Sequence, residues 1–138
     1  MPMLDDEHRR ALAAMMDGPF VAMLKLRLEA AAHGVARVRL PFDLAILNAG
    51  GPKVPIHGGA IAALIDTAAC AAIWTLPETR NSATVSLSVN YTGPGIASDL
   101  VAEAKVRRKG RRLASVNVEV RDNGDALIAD GLVTYKIA

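Results

Sequence analysis

Apolar positions along this chain keep two rhythms, and the change between them marks the elements. Around 5–16, Leu4, His8, Ala11, Leu12, Met15 and Met16 recur at helical spacing. Asp5, Asp6 and Glu7 sit in the first turn, where the helix dipole favours acids, and Asp17-Gly18-Pro19 ends the run. An N-terminal helix is predicted within 1–18, with His8 at its surface, and Phe20 to Leu24 reads as a further helical turn. The period then drops to two. Leu26 and Leu28 oppose Arg27 and Glu29, His33-Gly34 turns the chain, and Val35 to Leu40 alternates again, which is a hairpin. Pro41 to Ile56 is a loop rich in Gly and Pro. Period two returns after Leu76-Pro77-Glu78. In ATVSLSVNY, Val85, Leu87 and Val89 form one face and Thr84, Ser86, Ser88 and Asn90 the other. Thr92-Gly93-Pro94-Gly95 reads as a turn that links this strand to the next as a hairpin. Leu100 to Arg107, Leu113 to Arg121 and Ala126 to Ile137 are further strands, joined at Arg108-Lys109-Gly110-Arg111 and at Asp122-Asn123-Gly124. The sum is α+β: one long helix and an antiparallel sheet of about six strands, two before the helix and four after. Short turns between neighbouring strands exclude a parallel sheet, which needs long crossovers.

The long helix, predicted over 57–75, breaks the usual rule for surface helices. From Ala60 to Trp74 it has no polar face, so it is predicted to be buried nearly all round. Its one charge is Asp66. The residues three and four positions away are Ala62, Ala63, Ala69 and Cys70, none of them a cation, so its partner must come from another element. The start of the helix, His57-Gly58-Gly59, offers unpaired N–H groups and the positive end of the dipole, an oxyanion site that the bare glycines leave approachable. His57 and Asp66 are nine residues apart. They therefore point to opposite sides, about 13 Å apart along the axis. One helix does not bring both to one reacting atom; two copies packed antiparallel in a symmetric dimer do. The same residues also fit a plainer reading, in which His57 only caps the helix and Asp66 is a satisfied structural carboxylate.

Composition narrows the field. A chain of 138 residues is one domain with room for a core, and 51% apolar content suits a compact fold. The net charge of +2 makes no demand for nucleic acid. The basic residues crowd at Arg107, Arg108, Lys109, Arg111 and Arg112, which serve as a solvated tip or a phosphate contact. The single cysteine, Cys70, excludes an intrachain disulfide and reads as a small core residue. The acidic start MPMLDDEHRR is not a secretory signal, and the longest apolar run is too short for a bilayer, so a cytoplasmic protein with no membrane contact is expected. No Walker or Rossmann pattern and no close metal-ligand cluster is present, so no metal and no cofactor are expected.

His57-Gly58-Gly59, Leu64-Ile65-Asp66, Thr84 within ATVSLSVNYTGP and the closing GDALIADGLVTYKIA together resemble the hotdog-fold acyl-CoA thioesterases, in their phenylacetic-acid-degradation (PaaI-like) branch. The resemblance runs roughly from Gly34 to Tyr135. It implies a central helix wrapped by an antiparallel sheet, and a homodimer with active sites at the interface, often paired into a tetramer. It also implies an acyl-CoA substrate, with coenzyme A entering only as part of it. Asp66 stands where the family has its nucleophile or general base. Gly58 stands where a backbone amide polarises the thioester carbonyl, and Thr84 where a Ser or Thr orients the acid or a water. His57 is implied to fix the helix start, with Gly59 beside the substrate. Asn48 is the candidate for an asparagine that positions the carbonyl, although its spacing to His57 is long; the plain alternative is a turn residue. Arg80, Arg108, Lys109 and Arg111 are candidates to hold the phosphates of coenzyme A. A non-catalytic acyl-CoA-binding domain is the alternative. A hydratase on the same fold fits less well, since it needs an Asp and a His together on one side.

Overall fold

Asp5 opens the first helix: its carboxylate accepts from the His8 N–H at 2.8 Å and caps α1 (Asp6–Met16). The computed structural model describes residues 4–79 and 81–138. Helix α2 (Pro19–Met23) begins on a proline, whose fixed φ suits a first turn. Strands β1 (Arg27–Ala32) and β2 (Val35–Leu40) form the expected hairpin. After the loop comes α3 (Gly58–Trp74), then β3 (Ala83–Tyr91), β4 (Leu100–Lys109), β5 (Leu113–Asp122) and β6 (Leu127–Lys136).

The strands make one antiparallel sheet in the order β1-β2-β4-β5-β6-β3. Helix α3 lies across its inner face, mainly over β2, β4 and β5. The core is the interface between them: Leu64, Ile65, Ala68, Ala72 and Ile73 from the helix meet Val38, Leu40, Ala102, Val116, Val118 and Val133. The approach is close on β6, where a Cβ on Gly131 would stand 2.9 Å from Ile65 Cγ2. Charged residues keep to the outer face, where Arg39 bonds Glu29 at 2.7 Å and Asp99 at 3.2 Å. This is the α+β hotdog arrangement, a sheet wrapped on a central helix.

Five expectations are corrected. The turn at 92–95 does not make a hairpin: β3 pairs with β6 at one edge, while β4 crosses to pair with β2. The linker over 92–99 is long enough to span that gap, and Thr92 and Gly93 are tied to the Ile128 carbonyl at 2.9 and 3.1 Å. Second, the two faces of β3 are not those of strict alternation. A bulge between Thr84 and Ser86 shifts the register, so that Thr84 shares the helix side with Leu87, Val89 and Tyr91, while Ser86, Ser88 and Asn90 turn outward. Third, α3 is not buried all round. Ala62, Ala63, Asp66, Thr67, Cys70 and Trp74 form a half-exposed stripe, because the sheet covers only the opposite side. Fourth, Arg108 and Lys109 belong to β4, with 110–112 left as the tip. Fifth, His8, expected at the surface, has its side chain only 16% exposed, folded onto Asp5.

Candidate active site

The open side of α3 carries two chemical features. At the helix start, His57 is the N-cap: its Nδ1 accepts from the Gly59 N–H at 2.8 Å, and its carbonyl accepts from Ala60 and Ile61 at 3.0 and 3.3 Å. The Nδ1 position is therefore unprotonated and the ring takes the tautomer with its proton on Nε2. Of the first amides, the Gly58 N–H alone has no acceptor among the described residues. The Gly59 amide, expected to face a substrate, is occupied by His57.

Tyr91 closes over this end from β3. Its hydroxyl donates to the Gly58 carbonyl at 2.7 Å, and a Cβ on Gly58 would lie 3.2 Å from the ring. A glycine is required there by space rather than by backbone angle. Asn48 is held nearby by the backbone. The segment 48–55 is a closed excursion: Leu47 bridges Ile56, the Asn48 N–H donates to the Pro55 carbonyl at 3.0 Å, and the His57 N–H to the Ile46 carbonyl at 2.8 Å. The long spacing to His57 is thus short-circuited. The Asn48 side chain is exposed.

Asp66 sits about two turns further on. Thr84 Oγ1 donates to its Oδ1 at 2.8 Å, and Tyr135 Oη lies 2.5 Å from the same oxygen and 2.7 Å from the Asp66 carbonyl. Tyr135 is 2% exposed. Burial, and then the neighbouring Asp66 charge, push its phenol far above the ordinary range, so the hydroxyl keeps its proton and donates. With two donors on Oδ1, and none on Oδ2 among the described residues, one carboxylate oxygen is pinned and the other is left open. No cation pairs with Asp66 among the described residues. The bulge in β3 aims Thr84 at the helix, and a bond from Trp74 Nε1 to Ser82 Oγ at 2.9 Å ties the start of that strand to the helix end.

A cavity of about 270 Å³ opens beside Asp66, bounded by Met15, Val21, Thr67, Cys70, Ser82, Ala83, Thr84 and Tyr135. Burial pushes the Cys70 thiol up to about 11, opposed by a hydrogen bond with Ser82 and aided by the Asp66 charge, so at neutral pH it is a thiol and not a nucleophile. A second hollow of about 230 Å³ lies at the helix start, between Phe20, Leu24, residues 45–47, His57, Gly59 and Ala60. No group of three or more potential metal ligands occurs among the described residues.

The basic hairpin lies at the Asp66 end of the sheet. Lys109, Ala114, Tyr135 and Thr84 stand in one lateral row across β4, β5, β6 and β3. The Lys109 backbone is therefore about 14 Å from that of Thr84. Arg108, Lys109 and Arg111 are exposed, and Arg80 lies outside the described residues.

Tyr135 and Tyr91 were not singled out from the sequence. Tyr135 had a legible signal: a phenol on an inward strand position needs a partner, and Asp66 was the one charged group on an apolar helix without one. The chain belongs to the thioesterase superfamily, whose sequence model matches residues 56–129. Within it the fold and motifs are those of the PaaI-like hotdog branch. A Halobacterium salinarum protein whose given name proposes an esterase is 32% identical over 117 residues, covering 83% of this chain and 77% of its own. A conserved protein of Pseudomonas aeruginosa superposes with a TM-score of 0.82 at 30% identity, over 91% of this chain and 98% of that one. The phenylacetic acid degradation protein PaaI of Thermus thermophilus, in a mutant form, does so with a TM-score of 0.78 at 28% identity, over 88% and 100%. No described helix is long and apolar enough to cross a membrane.

Proposed function

We propose that the protein hydrolyses an acyl-CoA thioester to the free acid and coenzyme A, in a homodimer whose two sites are each shared between subunits. One observation carries this reading. Among the described residues, Asp66 has one oxygen held by Thr84 and Tyr135 and one open, on the same helix whose first amide, that of Gly58, is also open. Membership of the thioesterase superfamily supports thioester hydrolysis as the reaction class.

Within one chain the two features are about 12 Å apart along the helix, too far to act on one carbonyl. An antiparallel second copy of α3 brings the partner's Gly58 opposite Asp66. The surfaces such a dimer would cover are open here: the small-residue stripe of α3, and the unpaired edge β3 with exposed Val85, Leu87 and Tyr91. Dimers would pair again into tetramers.

In this reading the thioester carbonyl accepts a hydrogen bond from the Gly58 amide, worth about 3 kcal/mol in the transition state. Asp66 Oδ2 either attacks the carbonyl carbon, expelling the CoA thiolate and leaving an anhydride for water to open, or takes a proton from the attacking water. Thr84 and Tyr135 hold the carboxylate by its other oxygen. His57 shapes the helix start, and Asn48 stands beside it to orient the carbonyl. Arg108, Lys109 and Arg111, at the Asp66 end of the sheet, meet the CoA phosphates. The substrate class and the free thiol at Cys70 fit work in the cytoplasm.

The test is free-thiol release from aromatic and aliphatic acyl-CoAs, with wild type and Asp66→Asn in parallel. Hydrolysis by wild type alone is expected. Wild-type-like turnover in the variant removes the mechanism; measurable binding with no hydrolysis of any member makes the chain an acyl-CoA-binding domain instead.

A further inference from the structure

Resting on the thioesterase reading, we infer that the cavity beside Asp66 holds the acyl group and that Met15 and Val21, brought by the two N-terminal helices, set the acyl length it accepts. The cavity is about 270 Å³. Sites for drug-sized ligands start at about 300 Å³, so it takes one ring or a short chain and not the coenzyme. Its lining combines polar side chains, Thr67, Ser82 and Tyr135 among them, with an apolar part. Asp66 and Thr84, polar and hydrogen-bonded to each other, stand together on one side. Met15, Val21 and Cys70 give it apolar wall, the Cys70 thiol being uncharged. An acyl chain whose carbonyl meets Asp66 has this apolar space directly beside it.

Two of those walls do not belong to the hotdog core. Met15 comes from the last turn of α1, where it packs half-buried against the core. Val21 comes from the middle of α2, which also sends Phe20 to the hollow at the helix start. The helix α3 and the sheet fix where the reacting carbonyl sits; the N-terminal segment fixes how far the acyl group runs beyond it. Met15 is unbranched, so its truncation or enlargement changes depth without altering the carboxylate or its donors.

The experiment measures kcat/KM for a series of straight-chain acyl-CoAs from acetyl to decanoyl, plus phenylacetyl-CoA, with wild type, Met15→Ala, Val21→Ala and Met15→Phe. The readout is the long-to-short ratio within each variant, which is independent of the fraction of protein correctly folded. One methylene in an apolar pocket discriminates by about tenfold or more, so the Ala variants are expected to raise that ratio by about tenfold and Met15→Phe to lower it. Thioesters cleaved with the same ranking in all four proteins would overturn the acyl-length assignment alone. No cleavage by wild type would overturn it together with the thioesterase reading. A shift in KM common to every chain length would also overturn it, since it places the two residues outside the acyl path.

Discussion

The two faces of α3 share alanine as their commonest residue and do opposite things. The face toward the sheet, with Leu64, Ile65, Ala68 and Ala72, is fully covered by this chain's own strands. The face with Ala62, Ala63, Asp66, Thr67 and Cys70 is only half covered, and the carboxylate with its donors and the cavity lie along it. A helix that is apolar all round signals burial. Here only one face is buried by this chain's own sheet, and the other is left half-open. The open face is told apart by its few polar side chains, Asp66 and Thr67, set among alanines, where the covered face is aliphatic throughout.

The contrast predicts that substitutions on the open face act on turnover and those on the covered face on stability. Asp66→Asn should lower kcat by at least about a thousandfold, some 4 kcal/mol, with the melting temperature little changed. A loss of fold in that variant, seen by circular dichroism, would erase the distinction. Leu64→Ala empties a fully buried site and should cost about 3 kcal/mol of unfolding free energy by denaturant titration, while folded molecules keep their kcat. At Cys70, a thiol raised from 9.0 to about 11 should react with a maleimide at pH 8 about a hundredfold more slowly than a free cysteine. Thiolate forms as protons are lost, so the rate should climb steadily from about pH 8 towards 11; a plateau near pH 9 would place Cys70 in open solvent. Tyr135→Phe removes one donor from Asp66 Oδ1 and should lower kcat by about tenfold with KM nearly constant. An unchanged kcat would assign that bond to the sheet and not to the carboxylate.

The fold class, both ends of the central helix and the hairpins β1-β2, β4-β5 and β5-β6 were legible because each rests on a local rhythm or a turn. The pairing partner of β3 was not. Thr92 to Gly95 has turn chemistry, but whether a turn makes a hairpin depends on which edge the next strand finds, and β4 found β2. The bulge at Thr84 was equally hidden: a period-two pattern carries no mark of one extra residue, yet that residue aims Thr84 at Asp66. Asp66 and Gly58 stood out because each is an anomaly in its own element. Tyr91 did not, since a tyrosine at a strand end is ordinary and its bond to the Gly58 carbonyl exists only once β3 is laid along the helix.

The bridge between Leu47 and Ile56 makes the excursion at 48–55 a side branch of the main path, clamped at its neck by the Asn48–Pro55 and His57–Ile46 bonds. Length added beyond the neck leaves those bonds in place. Doubling such a loop costs only about 0.6 kcal/mol in closure entropy. The tip at Gly50-Gly51 is therefore a port: a peptide tag or a fluorophore-bearing segment can be spliced in there and report from beside the helix start without displacing the Gly58 amide.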